Sequence, residues 1–201
     1  SRNLVNWELE GYCLTEESQL DLHGCRPSGG IYAPTIRYHQ GTFFMTTTNT
    51  SGKGNFIVHT TDMKKGWSEP AWVDQGGIDP SLLFDDDGTV YFASTSMDSE
   101  GKTGIFLCQV NPFTGERLTE SVVISRGCGG RYAEGPHLYK WFGKYYLMLA
   151  EGGTEYGHME TILRSDSPYG PFEACPHNPI LTHRDDMREE IYCTGHADMI
   201  E

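Results

Sequence analysis

The 201-residue chain carries 15 Lys and Arg against 28 Asp and Glu, a net charge of −13. That argues against nucleic acid and anionic membrane surfaces as partners, because both attract an excess of cations. A hydrophobic share of 37% suits one domain with a core, and no apolar run approaches the roughly 18 residues that span a bilayer.

Ser1 to Trp7 reads as the end of an outer strand running into a turn. Thr60-Thr61-Asp62 leading to Trp67, and Arg164-Ser165-Asp166 leading to Phe172, repeat its pattern. An Asn or Asp caps its own turn, and the aromatic behind it packs back on a sheet, so Trp7, Trp67 and Phe172 are expected between sheets. Thr15 to Gly30 is a polar, turn-rich connector. The first full hairpin follows: Ala33-Pro34-Thr35-Ile36-Arg37-Tyr38, a His39-Gln40-Gly41-Thr42 turn, then Phe43-Phe44-Met45. Asn55–His59 supplies a third strand.

The hairpin recurs as Asp79-Pro80-Ser81-Leu82-Leu83-Phe84, the run Asp85-Asp86-Asp87-Gly88, and Val90-Tyr91-Phe92-Ala93. It recurs again as Glu134-Gly135-Pro136, a strand from His137 to Lys140, and an apolar strand from Tyr145 to Ala150. Gly104–Val110 and His158–Arg164 supply the third strands here, and Asn111–Glu116 is a plain turn. The anchoring prolines Pro34, Pro80 and Pro136 recur at roughly 50-residue intervals, and Thr194-Gly195-His196-Ala197-Asp198 opens a further unit. Multi-strand repeats of that period mark a β-propeller. The fold class expected is therefore all-β, a propeller of which about three blades are present. Residues 1–30 form the end of a first blade and a connector, 31–75 a second blade, 76–130 a third, 131–184 a fourth and 185–201 the start of a fifth. Within the last, Asp185 to Glu190 reads as a solvated charged excursion.

In a propeller the innermost strands start near one axis, so residues at matching starts converge in space. Asp79 and Glu134 occupy nearly matching starts, and His196 begins the next. Converging carboxyls are what glycoside hydrolysis requires, one protonating the leaving oxygen while others stay charged. Spacing alone equally allows Asp79 and Glu134 to be caps of inner-strand turns. Asp85, Asp86 and Asp87 belong to a hairpin turn away from the axis, and Asp62 and Asp166 to turn caps. The Asp85-Asp86-Asp87-Gly88 run lacks the alternation and terminal Glu of a calcium loop. The eight histidines show no zinc spacing, and no HExxH, GxSxG or P-loop is present. The six cysteines Cys13, Cys25, Cys108, Cys128, Cys175 and Cys193 lack CxxC spacing. They read as reduced thiols of a cytoplasmic protein, with secretion and three bridges as the alternative.

The blocks YAEGPHLYKWFGKYYLMLAEGGTEYGH, GGIDPSLLFDDDGTVYF, GGIYAPTIRYHQGTFFMTTTN and TGHADMIE resemble those of glycoside hydrolase family 43, most closely its β-xylosidase and α-L-arabinofuranosidase branch. The resemblance runs through almost the whole chain. It implies a five-bladed β-propeller and hydrolysis with inversion at the anomeric carbon, releasing terminal xylose or arabinofuranose from hemicellulose oligosaccharides. Carried over by position, Glu134 matches the general acid and Asp79 the carboxylate that orients it and raises its pKa. His196 matches a histidine at the propeller centre, and Thr154 and Tyr32 match positions lining the first sugar subsite. Many relatives have Trp where Tyr32 stands, so the stacking surface differs. No cofactor is implied, and no metal site, except that some members hold a calcium ion near the residue matching His196.

The family's general base is an Asp in an early D-P block, which this sequence does not contain, and an arginine of the fifth blade is likewise expected beyond Glu201. The chain as given is therefore expected to be inactive because incomplete, and to self-associate through unclosed blades. Two readings stay open: the middle of an exo-acting glycosidase with a xylo- or arabino-oligosaccharide substrate, or a non-catalytic remnant that binds carbohydrate.

Overall fold

The computed structural model describes residues 1–186, 188 and 190–200, and among them it contains strands and turns but no helix. Thirteen strands run in order: β1 (Ile31–His39), β2 (Thr42–Asn49), β3 (Gly54–Thr60), β4 (Ala71–Trp72), β5 (Ile78–Phe84), β6 (Val90–Met97), β7 (Thr103–Gln109), β8 (Val122–Ser125), β9 (Glu134–Trp141), β10 (Lys144–Glu151), β11 (Met159–Ser165), β12 (Glu173–Ala174) and β13 (Leu181–Thr182). They form three antiparallel meanders, β1-β2-β3-β4, β5-β6-β7-β8 and β9-β10-β11-β12, with β13 on the other end of β11.

Turn chemistry sets the hairpins. Gln40-Gly41 and Phe142-Gly143 are two-residue loops with φ of 46° and 86°, and of 49° and 72°. Positive φ at both positions gives a turn whose twist matches that of the flanking strands. Of the first strands, β5 lies against both β1 and β9, as successive propeller inner strands do. Packing between neighbouring sheets makes the core. Phe44, Ile57, Leu82, Phe92 and Cys108 fill the gap between the first and second sheets. Tyr91, Ile105, Leu107, Leu138, Leu147 and Leu149 fill the next. Each such side chain contributes about 2 kcal/mol by leaving water.

One device repeats on all three inner strands. Pairing with the second strand shifts register between Tyr32 and Thr35, between Ile78 and Ser81, and opposite Met148 and Ala150, where His137 and Glu134 pair. Each shift spans an X-Pro step: Ala33-Pro34, Asp79-Pro80 and Gly135-Pro136. Proline has no N–H for the ladder, so a bulge accommodates it, and the bulge re-aims the residues beside it.

Phe172 packs between the second and third sheets as expected, whereas Trp67 packs on the first sheet beside Cys13 and Leu14 of the connector, with no second sheet there among the described residues. Trp7 does not. Ser1–Trp7 forms bends, with Asn3 Oδ1 accepting from the amides of Val5 and Asn6, and Trp7 is 70% exposed with its indole N–H on the Leu4 carbonyl. The local turn saturates its own hydrogen bonds and finds no sheet edge among the described residues. Asp62 caps its turn by accepting from the Lys64 amide at 3.0 Å. Asp166 instead pairs with Lys144, and the neighbouring Ser165 hydroxyl takes the capping role, accepting from Ser167 at 3.1 Å. Of the charged excursion, Asp186 and Arg188 pair at 2.9 Å in solvent, whereas Met187 and Glu189 lie outside the described residues.

Candidate active site

The bulges of β5 and β9 deliver the two carboxyls. Asp79 sits within its bulge at φ 56° and is only 6% exposed. Glu134 stands one residue ahead of the corresponding bulge glycine and is half-buried. The offset matters, because the Gly135 amide donates to the Asp79 carboxylate and ties the two strand starts together. Burial pushes the Asp79 pKa up to about 6, with that hydrogen bond pulling the other way. The Glu134 pKa is also raised, first by burial and then by the Asp79 charge, while His196 and His158 oppose the rise. Burial holds the His196 imidazole below its ordinary value, with the Glu134 charge opposing.

Close approach explains the glycines here. A Cβ on Gly135, which has φ 58°, would stand 2.7 Å from His196 Cδ2 and Nε2. A Cβ on Gly195 would stand 2.6 Å from the His158 ring. The Cys193–Ala197 segment is laid on the third sheet by polar contacts from that side. His158 Nδ1 is 2.9 Å from the Cys193 carbonyl, so it donates there. His183 Nδ1 meets Thr194 Oγ1 at 3.0 Å, and the Ala197 amide donates to Glu160 Oε2 at 3.0 Å. Asp79, Glu134 and His196 are thus brought together; Asp79 and Glu134 stand at strand starts as expected, whereas His196 lies in an irregular segment.

Tyr32 and Thr154 stand apart from this cluster's contacts. The Tyr32 hydroxyl donates to the Ser28 carbonyl at 2.8 Å, and Thr154 is exposed in the loop after β10.

Sequence reasoning missed a second polar cluster. Arg37 pairs with Asp198 at 2.6 Å, donates to His137 Nδ1 at 3.0 Å, and lies 5.5 Å over the Tyr139 ring. The Tyr139 hydroxyl donates to Asp198 at 2.5 Å and accepts from the Met199 amide at 2.9 Å. Burial pushes the His137 pKa down to about 4, with Asp198 opposing and Arg37 reinforcing. His137 is therefore a neutral acceptor, and Arg37, which can only donate, fixes its tautomer. The available signal was Arg37 and Asp198 inside repeated blocks, where an inward charge needs an inward partner.

Calcium takes six to eight oxygen ligands. Among the described residues no group of three or more His, Cys, Asp or Glu side chains is arranged to hold a metal, and the neighbours of His196 are Glu134, His158 and Gly135. The side chains around His196 do not fit a protein-built calcium shell.

Fold and site together define a β-propeller protein with a paired-carboxyl centre. The sequence model of glycosyl hydrolases family 43 matches residues 1–201, and the chain belongs to that family. It is 42% identical over 205 residues to a non-reducing end α-L-arabinofuranosidase of Bacteroides ovatus, covering 100% of this chain and 38% of that protein. It is 42% identical over 212 residues to a xylosidase/arabinosidase of Butyrivibrio fibrisolvens, covering 100% and 41%. The solved structure of a family 43 protein retrieved from a capybara gut metagenome superposes with a TM-score of 0.93 at 39% identity, covering 100% of this chain and 40% of that one. A xylan β-1,4-xylosidase of Bacillus halodurans gives 0.90 at 36% identity, covering 98% and 40%. The fold is the five-bladed propeller of the family, in part. The chain spans about 40% of the length of these relatives.

Proposed function

We propose that this chain forms the middle of the catalytic propeller of an exo-acting glycosidase that removes terminal xylose or arabinofuranose from hemicellulose oligosaccharides. One observation carries the proposal: Glu134 has its pKa raised by burial and by the charge of a carboxyl, Asp79, that is anchored on the next residue's amide. A carboxyl in that setting keeps its proton to higher pH than an ordinary carboxyl does, which suits a general acid. Glu134 protonates the departing glycosidic oxygen, and Asp79 orients Glu134 and sustains its protonation. A carboxylate from the rest of the propeller, outside these 201 residues, activates water on the opposite face of the sugar and inverts the anomeric carbon. The stretch by itself then lacks hydrolytic activity. His196 packs beside the acid, where a sugar hydroxyl can reach its imidazole, and Tyr32 and Thr154 line the first subsite. This acid–base chemistry needs no cofactor. The six free thiols support a cytoplasmic site of action. The net charge of −13 supports neutral sugars over nucleic acid or membrane as partners.

The test is made in the full-length protein. Glu134→Gln keeps shape and hydrogen bonding but cannot donate the proton, and general acid catalysis contributes about a hundred- to ten-thousandfold. A loss of that size is expected on xylo-oligosaccharides, whose sugar leaving group needs protonation. The loss should nearly vanish on aryl glycosides with a strongly acidic phenol. Equal losses on both substrates would show that Glu134 is not the acid.

A further inference from the structure

The third sheet carries a second acid that the reading above leaves unused. Glu160, on β11, is 0% exposed. Ala150 on β10 pairs with Glu134 of β9 on one side and with Glu160 of β11 on the other. Directly opposed residues of antiparallel strands share a face. Glu134, Ala150 and Glu160 therefore form one cross-strand row, with only a methyl group between the two acids. The Cys193–Ala197 segment lies over that row. The Glu160 carboxylate accepts from the backbone amides of both His196 and Ala197, the latter at 3.0 Å, while the His196 ring reaches back to Gly135 beside Glu134.

Two observations separate this from ordinary packing. The first is the conformation held. His196 has φ 51° and Cys193 has φ 56°, a left-handed backbone that non-glycine residues occupy only when the surroundings impose it. At His196, two successive amides turned onto one carboxylate supply that constraint, and at Cys193 the His158 ring holds the carbonyl. The second is the use of the carboxylate. Glu151, on the adjacent strand and equally buried, spends both oxygens on fixed partners, the amides of Cys128 and Gly130 at 2.5 Å each and the Thr161 hydroxyl at 3.1 Å. Glu160 engages through one side only, and its Oε1 is buried without a partner. An unpaired buried oxygen is a cost that a purely structural site would avoid by using an apolar residue.

We propose that Glu160 is a positioning residue of the active site: by clamping the His196 and Ala197 amides from the floor of the Glu134–Ala150–Glu160 row, it sets the place of the His196 ring beside the general acid. The proposal rests on the glycosidase reading for its effect on rate, but not for its effect on geometry. In the full-length protein, Glu160→Gln retains a carbonyl oxygen that can accept both amides, whereas Glu160→Leu fills the space and accepts neither. Each variant is characterised by thermal unfolding, by kcat and KM on aryl β-xyloside and aryl α-L-arabinofuranoside, and by a crystal structure.

The expected result is near-parental kcat for Glu160→Gln. For a folded Glu160→Leu we expect kcat lower by about a hundredfold, the scale of a misplacement of 1 Å, with the His196 ring displaced from Gly135. Overturning results are a His196 ring unmoved in Glu160→Leu, or kcat retained within threefold. Equal losses in Glu160→Gln and Glu160→Leu that follow their unfolding temperatures would also overturn it, since that is a structural role alone. Should the parent hydrolyse neither glycoside, the functional reading fails, and the position of His196 in the Glu160→Leu crystal still decides the clamp.

Discussion

At the scale of single residues, the raised pKa of Glu134 has two sources, and they can be separated. Burial is the larger and the Asp79 charge the second. Asp79→Asn removes the charge and leaves the burial, so the Glu134 pKa should fall but stay above the ordinary carboxyl range. The alkaline limb of the pH dependence of kcat/KM, where the acid loses its proton, should move down by about one pH unit or less. An unmoved limb would mean that Asp79 does not act on the acid through its charge. Asp79 itself is pushed up to about 6 by burial, so the parent's limbs belong to a coupled pair and should be assigned to the pair. Both carboxyls were legible in the sequence, because an acid one or two residues ahead of Pro at a repeated strand start is a local signal. Glu160 and Arg37 were not. HMETILR reads as a half-polar third strand, and nothing in its alternation says that its Glu lies under another segment of chain.

At the scale of elements, the sheets are joined by a tie that the turn residues conceal. Asp85, first of the three aspartates in the β5–β6 turn, is buried and ion-paired to Lys140 of β9, and it accepts from the Tyr145 hydroxyl of β10 at 2.5 Å. The expectation that this run lies in a hairpin turn holds, but Asp85 belongs to the interface between the second and third sheets. Asp85→Ala would leave the buried Tyr145 hydroxyl without its acceptor and Lys140 with Asp86 alone, and the lost acceptor for the hydroxyl costs about 2 kcal/mol. Urea unfolding of the full-length protein measures it, and a change below about 0.5 kcal/mol would reduce the tie to a surface contact. The sign with pH follows. Burial alone would raise the Asp85 pKa, but Lys140, Tyr145 and the Asp86 amide outweigh it and hold it below the ordinary 3.8. The tie therefore stabilises above about pH 4 and is lost as pH falls through the depressed folded value. Strand periodicity and the Gly-containing turns made the hairpins readable ahead of the structure. The two-residue outer strands β4, β12 and β13 were not, because their pairing is set by the neighbouring strand and leaves no period in so short a segment. Trp7 failed for a related reason: a capped turn looks the same whether or not a sheet edge is there to receive its aromatic.

At the scale of the whole molecule, three sheets in series carry two outer faces that no fourth sheet covers among the described residues. On the first inner strand, Ile36 is 47% exposed and Tyr38 63%, and Leu4, Val5, Trp7 and Leu9 are exposed ahead of it. A propeller blade is stable through both neighbours, because each buries one of its apolar faces. Expressed alone, residues 1–201 should therefore associate by joining such faces. The net charge of −13 opposes that, since like-charged copies repel over a Debye length of about 30 Å at 0.01 M salt but only about 8 Å at 0.15 M. Association should thus strengthen as salt rises, through screening, which is opposite to an assembly held by ion pairs. Sedimentation velocity across a concentration series at low and physiological salt distinguishes these cases. The expected record is a weight-average sedimentation coefficient that grows with protein concentration, more steeply at the higher salt. A monomer at all concentrations with one cooperative thermal transition would mean that the three sheets close their own faces. Association that dissolves on adding salt would instead place charged groups, and not the uncovered apolar faces, at the contact.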